Sequence, residues 1–270
     1  MPKAARPPPF EDSRDYVQSL ARGLAVLGAF DRQHVRLSLA DIATRTGLSR
    51  AAARRLVLTL GHLGYVREVG RAYVLGPRVL ELGFGYLGSL NLTELAQPLM
   101  EALAREVRQS CSMAVLDGQA IVYVLRVPGP RLMSVSLGVG ARLPAYCASM
   151  GRVLVAGLDE DARALWLAQC EPQKLTAHTI TDKAKLRRVL ADVARDGFAY
   201  IEQELEPGLC SIAVPVRNAD GRVATAVNTS MAWQPDAAKF ARKVLLPKLL
   251  ETAAAIEAQL PARRLAAVGP

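Results

Sequence analysis

Residues 38–60 read SLADIATRTGLSRAAARRLVLTL, two short helices joined by a tight turn. Leu39, Ile42 and Ala43 share one face of the first helix. Gly47 breaks that helix, Leu48 plugs the turn, and Ser49 stands where a helix N-cap belongs. Ala53, Leu56, Leu60 and Leu63 then recur at steps of three and four, which makes one buried stripe. The opposite face carries Arg50, Ala51, Arg54 and Arg55. Small residues beside guanidiniums suit a helix lying in a DNA major groove, because the helix approaches closely while arginine reaches phosphates and guanine edges. A helical hairpin with a solvated basic face is the other reading of the same residues.

The flanking sequence extends the motif into a domain. Leu20, Leu24, Val26, Leu27 and Phe30 predict an amphipathic helix over 19–30 that packs under the next two and completes a three-helix core. After Gly64, residues 65–69 and 71–75 read as a β-hairpin turned at Gly70. Three helices and a hairpin make a winged helix, with Arg67 and Arg71 near the hairpin tip placed for the DNA backbone or minor groove. Charge follows the same division. Residues 1–78 hold 13 Lys and Arg against 6 Asp and Glu, whereas the whole chain holds 34 against 25. The basic excess therefore sits in the segment with the helical pair, and a polyanion partner is expected there.

The chain has 270 residues, half of them hydrophobic, enough for two domains with cores of their own. The segments are expected as a tail (1–15), a winged helix-turn-helix (16–77), a linker helix (78–90), a second domain (91–260) and a closing tail (261–270). The linker RVLELGFGYLGSL places Val79, Leu82, Phe84 and Leu87 on one apolar face. Its three glycines each cost about 1 kcal/mol of helix propensity, so the helix needs support, and an equivalent helix of a second copy would supply it. Beyond it, Asn91 and Glu94 resemble a capping box for a helix to about Gln109, kinked at Pro98. Asp117-Gly118 signals a hairpin between 112–116 and 120–127, and 132–137 is a further strand candidate. Helices are expected over 149–157, 160–169 and from a Thr181 cap to Gly197, then strands 199–204, 211–216 and 222–230, and a last helix over 236–259. The pattern is α+β with a largely antiparallel sheet.

The search for reaction chemistry returns little. Three histidines, no HExxH, GxSxG, Walker loop or CxxC, and four scattered cysteines argue against metal, cofactor and nucleophile-dependent catalysis. An enzyme using Cys147 or Cys210 beside an appended DNA-binding domain is the rival reading, and an architectural DNA-binding protein a third. No apolar run is long enough for a membrane span, and the N-terminus lacks a signal-peptide core. The single thiols fit a cytoplasmic chain. A pocket has better support. Residues 138–151, GVGARLPAYCASMG, join a strand to a helix, and Ser149 at the helix start would leave backbone amides facing an anion. Asn228 and Ser230 fall on one face of the last strand at period two, and Arg126 ends an apolar strand where a buried guanidinium needs a carboxylate.

The segments SLARGLAVLGAF (19–30), LADIATRTGLSRAAARRLVLTLGHLGYV (39–66), RLPAYCASMGRVLVA (142–156) and GLCSIAVPV (208–216) resemble the IclR family of bacterial transcription regulators. The similarity runs from about Tyr16 to Leu260. With RLMSVSLGVGA preceding it, the Arg142 segment is most similar to the subgroup that controls catabolism of hydroxybenzoates, protocatechuate and β-ketoadipate. The resemblance implies a winged helix-turn-helix, a dimerising linker and a GAF-like effector domain. It further implies a homodimer or homotetramer on double-stranded promoter DNA, responding to a small carboxylic acid. By position the effector site would include Tyr146, Cys147, Ala148, Ser149, Ser211, Asn228 and Ser230, with Arg126 or Arg142 on the carboxylate. Asn228 departs from the serine common in members with small-acid effectors, and Ala52-Ala53 stands where the family often has Thr-Val.

Overall fold

The computed structural model describes residues 10–31, 33–83, 92–129 and 138–260. Contacts divide the chain into two compact units, Met1–Gly88 and Ser89–Pro270. In the first, α1 (Gln18–Gly28), α2 (Leu39–Thr46) and α3 (Arg50–His62) precede a hairpin of β1 (Val66–Val69) and β2 (Ala72–Leu75). Ser38 and Asp41 form a reciprocal capping box at the start of α2. Gly47 closes that helix at φ 67°, in the left-handed region that glycine enters without steric cost. Ser49 Oγ then accepts from the Ala52 amide at 3.2 Å and starts α3.

Val26, Phe30, Ile42, Ala53, Val57, Leu60 and Val66 are among the residues that fill this core. Two expectations change. The buried stripe of α3 runs through Ala53, Val57 and Leu60, while Leu63, past the helix end, is exposed. On α1 the side that meets α2 and α3 runs through Gly23, Val26 and Leu27, so Val26 is buried, while Leu20 and Leu24, on the other side of the helix, remain 62% and 55% exposed. A helical stretch begins at Val79 and is described through Gly83. The rest of the expected linker, with Phe84 and Leu87, lies outside the described residues, as do Asn91 and the strand candidate 132–137.

The second unit is built on one six-stranded sheet. Its strands are β3 (Ser110–Asp117), β4 (Ala120–Val127), β5 (Arg142–Pro144), β6 (Ala199–Glu202), β7 (Leu209–Arg217) and β8 (Val223–Ala232). They lie in the order β5-β4-β3-β8-β7-β6, every neighbour antiparallel. Helix α4 (Leu92–Val107), which continues through Pro98, and α9 (Leu246–Gln259) contact each other and the sheet. Around the opposite core, with Ala114, Ala213 and Ala226 of the sheet, gather α5 (Ser149–Ala156), α6 (Glu160–Gln169) and α7 (Lys183–Asp196).

Local chemistry corrects three further expectations. Asp182 rather than Thr181 caps α7, its carboxylate accepting from the Lys185 amide at 2.6 Å. Ala148 occupies the cap position of α5, so Ser149 is already helical and its hydroxyl makes no capping bond. The last helix is not uniform: α8 (Ala237–Phe240) passes through a π-helical stretch, Ala241–Leu245, into α9. Pro247 has no amide to donate and its ring crowds the carbonyl four residues back, so the backbone widens just before it.

Candidate ligand pocket and nucleic-acid-binding face

On α3 the burial of Ala53, Val57 and Leu60 turns Arg50, Ala51, Arg54 and Arg55 to solvent. Other arginines of the same unit are engaged. Arg45 holds Asp31 at 2.7 Å and the Ala29 carbonyl at 2.9 Å, and Arg78 holds the Leu63 carbonyl at 2.9 Å. Among the described residues no acidic side chain pairs with Arg50, Arg54 or Arg55. Arg71 follows Gly70 in the hairpin turn, Arg67 pairs with Val74 along the strand, and both are exposed. The unit thus presents a small-residue helix face with free guanidiniums, and a basic hairpin in the same fold.

The pocket is assembled by strand register. One rung of the sheet runs Arg126–Ser112–Asn228–Ala213 across β4, β3, β8 and β7. The next runs Ser110–Ser230–Ser211–Ile201 across β3, β8, β7 and β6. Cross-strand partners share a face and residues two apart on a strand do too, so both rungs present their side chains toward α5. There Arg126, Ser211, Asn228 and Ser230 line a cavity with Cys147, Ala148, Ser149 and Met150 from the start of α5. Tyr123, Leu143, Ile201, Leu205 and Leu209 complete its apolar wall. The cavity volume is about 40 Å³, more than the roughly 10–15 Å³ that a single water requires.

Among the described residues, two polar atoms of this cavity are buried without a partner. Ser149 is 1% exposed and Asn228 3%, and among the described residues neither Ser149 Oγ nor Asn228 Oδ1 has a hydrogen bond. The Asn228 amide donates to Ser230 Oγ at 3.3 Å, which leaves its oxygen free. Half-buried Arg126 has only a 3.4 Å contact from Nη1 to Ser112 Oγ and no acidic partner among the described residues. Leaving one buried polar group unsatisfied costs about 1–3 kcal/mol. Two such groups, and a guanidinium with no acidic partner among the described residues, give the cavity polar groups that a ligand can answer.

Two expected pocket residues stand elsewhere. Arg142 lies on the edge strand β5 and pairs with Asp117 at the exposed β3–β4 turn. The Tyr146 hydroxyl donates to the Gln173 carbonyl at 2.7 Å and accepts from the Gln173 amide at 3.1 Å, so it braces the loop after α6. Conversely, Tyr123 was invisible to simple alternation. A bulge between Met113 and Ala114 pairs Ala114 with Tyr123 and leaves Val124 as the extra residue, which turns Tyr123 to the same face as Arg126. Leu205 and Leu209 come from a loop and strand start that carry no local signal for a pocket.

Burial works against activating either candidate thiol. Burial, reinforced by the nearby Glu204 charge, pushes the Cys147 thiol up to about 12, and burial also raises Cys210. Both are protonated at neutral pH, whereas a reactive cysteine needs its thiolate.

Comparison with known proteins matches the chain to the IclR helix-turn-helix domain over residues 19–70 and to the bacterial transcriptional regulator IclR C-terminal domain over 84–258. It is 42% identical to the Pca regulon regulatory protein of Pseudomonas putida over 222 residues, 82% of this chain and 76% of that one. It is 35% identical to the p-hydroxybenzoate hydroxylase transcriptional activator of Acinetobacter baylyi over 246 residues, covering 89% and 91%. A crystal structure of an IclR homolog from Microbacterium hydrocarbonoxydans, complexed with 4-hydroxybenzoate, superposes with a TM-score of 0.80 at 29% identity, covering 91% and 100%.

Proposed function

The chain belongs to the IclR family of bacterial transcriptional regulators, and from that membership we propose that a small carboxylic acid, bound beside α5, controls its binding to promoter DNA. The acid belongs to the hydroxybenzoate, protocatechuate or β-ketoadipate class. The observation that carries the reading is the convergence of Arg126, Ser149 Oγ and Asn228 Oδ1 on one otherwise apolar cavity. A carboxylate answers the Arg126 fork with charge-assisted bonds. A second oxygen on the ligand answers Ser149 and Asn228: a hydroxyl donates to the amide oxygen while accepting from the serine. Adjacent strands are about 4.8 Å apart, so Arg126 and Asn228, two strands apart on one rung, suit a ligand with oxygens at both ends. Ser211, Ser230, Cys147 and Ala148 contribute the rest of the contact surface, and the relative bound to 4-hydroxybenzoate supports the class.

Residues 16–77 read the DNA in this proposal, 78–90 link, and 91–260 sense the acid. Arg50, Ala51, Arg54 and Arg55 enter the major groove, Ser49 donates its hydroxyl proton to a phosphate, and Arg67 and Arg71 serve the wing. Binding of the acid biases a two-state DNA-binding equilibrium by its differential affinity for the two states. A homodimer or homotetramer fits leucines 20, 24, 80 and 82 of the first unit, large apolar side chains left exposed among the described residues.

Calorimetry with 4-hydroxybenzoate, protocatechuate and β-ketoadipate tests the sensing half. Saturable binding of at least one is expected, and no heat from any at millimolar concentration overturns the effector class. For the DNA half, Arg54→Ala should relax operator preference without changing acid affinity. One bidentate arginine–guanine pair carries about 1–3 kcal/mol, or roughly 5- to 150-fold discrimination per half-site. Competition between an operator and its single-base-pair variants measures it, and unchanged discrimination removes Arg54 from the groove.

A further inference from the structure

One ion pair of the second unit is almost wholly sequestered from water and lies outside the pocket lining. Arg152 Nη2 meets Glu204 Oε2 at 2.7 Å, with side chains 3% and 7% exposed. Replacing such a pair with apolar residues is often neutral for stability, so stability alone does not account for its presence. Its bonds run to the pocket walls. Arg152 sits on α5 one turn beyond Cys147–Met150, and its Nε donates to the Tyr146 carbonyl at 2.9 Å, inside the turn that precedes them. Glu204 adjoins Leu205 of the facing wall. The same Glu204 Oε2 accepts from the Ile180 amide at 3.0 Å, and the Glu204 carbonyl accepts from Thr179 Oγ1 at 2.7 Å.

The loop that carries Glu204 is itself tightly bound. Gln203 adopts φ 56°, a left-handed conformation rare for a side chain with a Cβ. Its carbonyl accepts from Thr176 Oγ1 at 2.6 Å and its side-chain oxygen from the Gly208 amide at 3.0 Å. Between Gln203 and Leu209 the chain therefore forms one hydrogen-bonded unit, joined to α5 through the Glu204 carboxylate. We propose that the Arg152–Glu204 pair is a positioning clamp that holds the α5 wall and the Leu205–Leu209 wall at the separation the ligand requires. Arg152 and Glu204 are positioning residues: they act through Cys147–Met150 and Leu205 and do not touch the acid. The inference rests on the pocket reading above only for its ligand arm.

Two variants of the full chain test it. Arg152→Met with Glu204→Leu removes both charges and keeps the volume. Glu204→Gln keeps the shape and removes one charge, and reads the same quantities where the double variant folds poorly. Cys147 lines the α5 wall, so its alkylation by N-ethylmaleimide reports opening without any effector; it is followed on its own peptide by mass spectrometry across pH, which separates the loss of the Glu204 charge beside the thiol from exposure, with Cys111 on the far side of the sheet as control. Cys147 alkylation at least tenfold faster is expected below the midpoint, where the variant is folded, with Cys111 unchanged; the midpoint itself falls, because the Tyr146 carbonyl and the Ile180 amide lose their partners. Calorimetry with 4-hydroxybenzoate should show at least tenfold weaker binding. Unchanged Cys147 protection in a folded variant overturns the clamp, and so does acceleration of Cys111 to the same extent, which is general loosening. If the wild-type chain does not bind 4-hydroxybenzoate, the choice of ligand fails while the alkylation result still decides the clamp.

Discussion

Replacing Arg126 with methionine is expected to weaken binding of the cognate acid by roughly 30-fold to several thousand-fold, the equivalent of about 2–5 kcal/mol for truncating one partner of a buried charge pair. Methionine keeps the apolar stem that packs on β4 and removes only the guanidinium, so lost packing contributes little. The size follows from the surroundings. Ser112 Oγ at 3.4 Å is a weak acceptor, and no carboxylate among the described residues competes for the fork. Half-buried Arg126 lines the cavity with no counterion among the described residues, so the acid's carboxylate meets a guanidinium already partly withdrawn from water. Arg142→Met is the matched control. Its partner Asp117 is exposed, the pair lies outside the cavity lining, and an exposed pair is worth about 0–1 kcal/mol. Calorimetry on the two variants decides between them. Arg126→Met binding within threefold of wild type would remove the carboxylate from β4.

The two arginines also mark the limit of what the chain discloses in one dimension. The helical pair was legible because every rule it uses is local: Ser38 and Ser49 cap within three residues, Gly47 supplies the left-handed turn, and the Ala53–Leu60 stripe repeats within two helical turns. The same holds for the hairpin at Gly70, the α6 limits at Glu160 and Gln169, and the Gly197 stop of α7. The pocket obeys no local rule. Ser112 and Asn228 become neighbours only when β3 pairs with β8, more than a hundred residues later, and Arg126 joins their rung only through the β3–β4 register. Period-two alternation placed Asn228 and Ser230 on one face, but it assigns Val124 the position that the bulge gives to Tyr123. Burial by neighbouring elements is equally nonlocal. Leu20, Leu24 and Val26 belong to one apolar helix, and only the docking of α2 and α3 on the Val26 side of it separates them. At residue 149 the local rule misplaced the cap by one position. The misplacement matters, because a hydroxyl that caps its own helix is satisfied and one that does not is left for a ligand.

That hydroxyl is positioned by a glycine, and Gly151→Ala should therefore damage both the second unit's stability and its pocket. A Cβ built on Gly151 would lie 2.2 Å from the Ala145 carbonyl oxygen and 2.5 Å from Ala145 Cα. These are backbone atoms of the turn from Ala145 to Cys147, so no side-chain rotation relieves the overlap; either α5 or the turn must move. Both carry pocket residues, Cys147 on one and Ser149 and Met150 on the other. Overpacking of this kind costs about 1–3 kcal/mol, and in a unit of this size each kcal/mol lowers the midpoint by roughly 2–4 °C. A fall of about 2–12 °C in the unfolding midpoint is expected, with acid affinity reduced at least tenfold below the midpoint, where the protein is folded. Gly23→Ala on α1 is the internal comparison: nothing lies within 4 Å of its built Cβ, and alanine is the better helix former. It should leave acid affinity unchanged and stability equal or slightly higher. The closeness of α5 to its preceding turn is what sets Ser149 Oγ into the cavity, and a Gly151→Ala protein that melts and binds like wild type would show that the turn has room to yield.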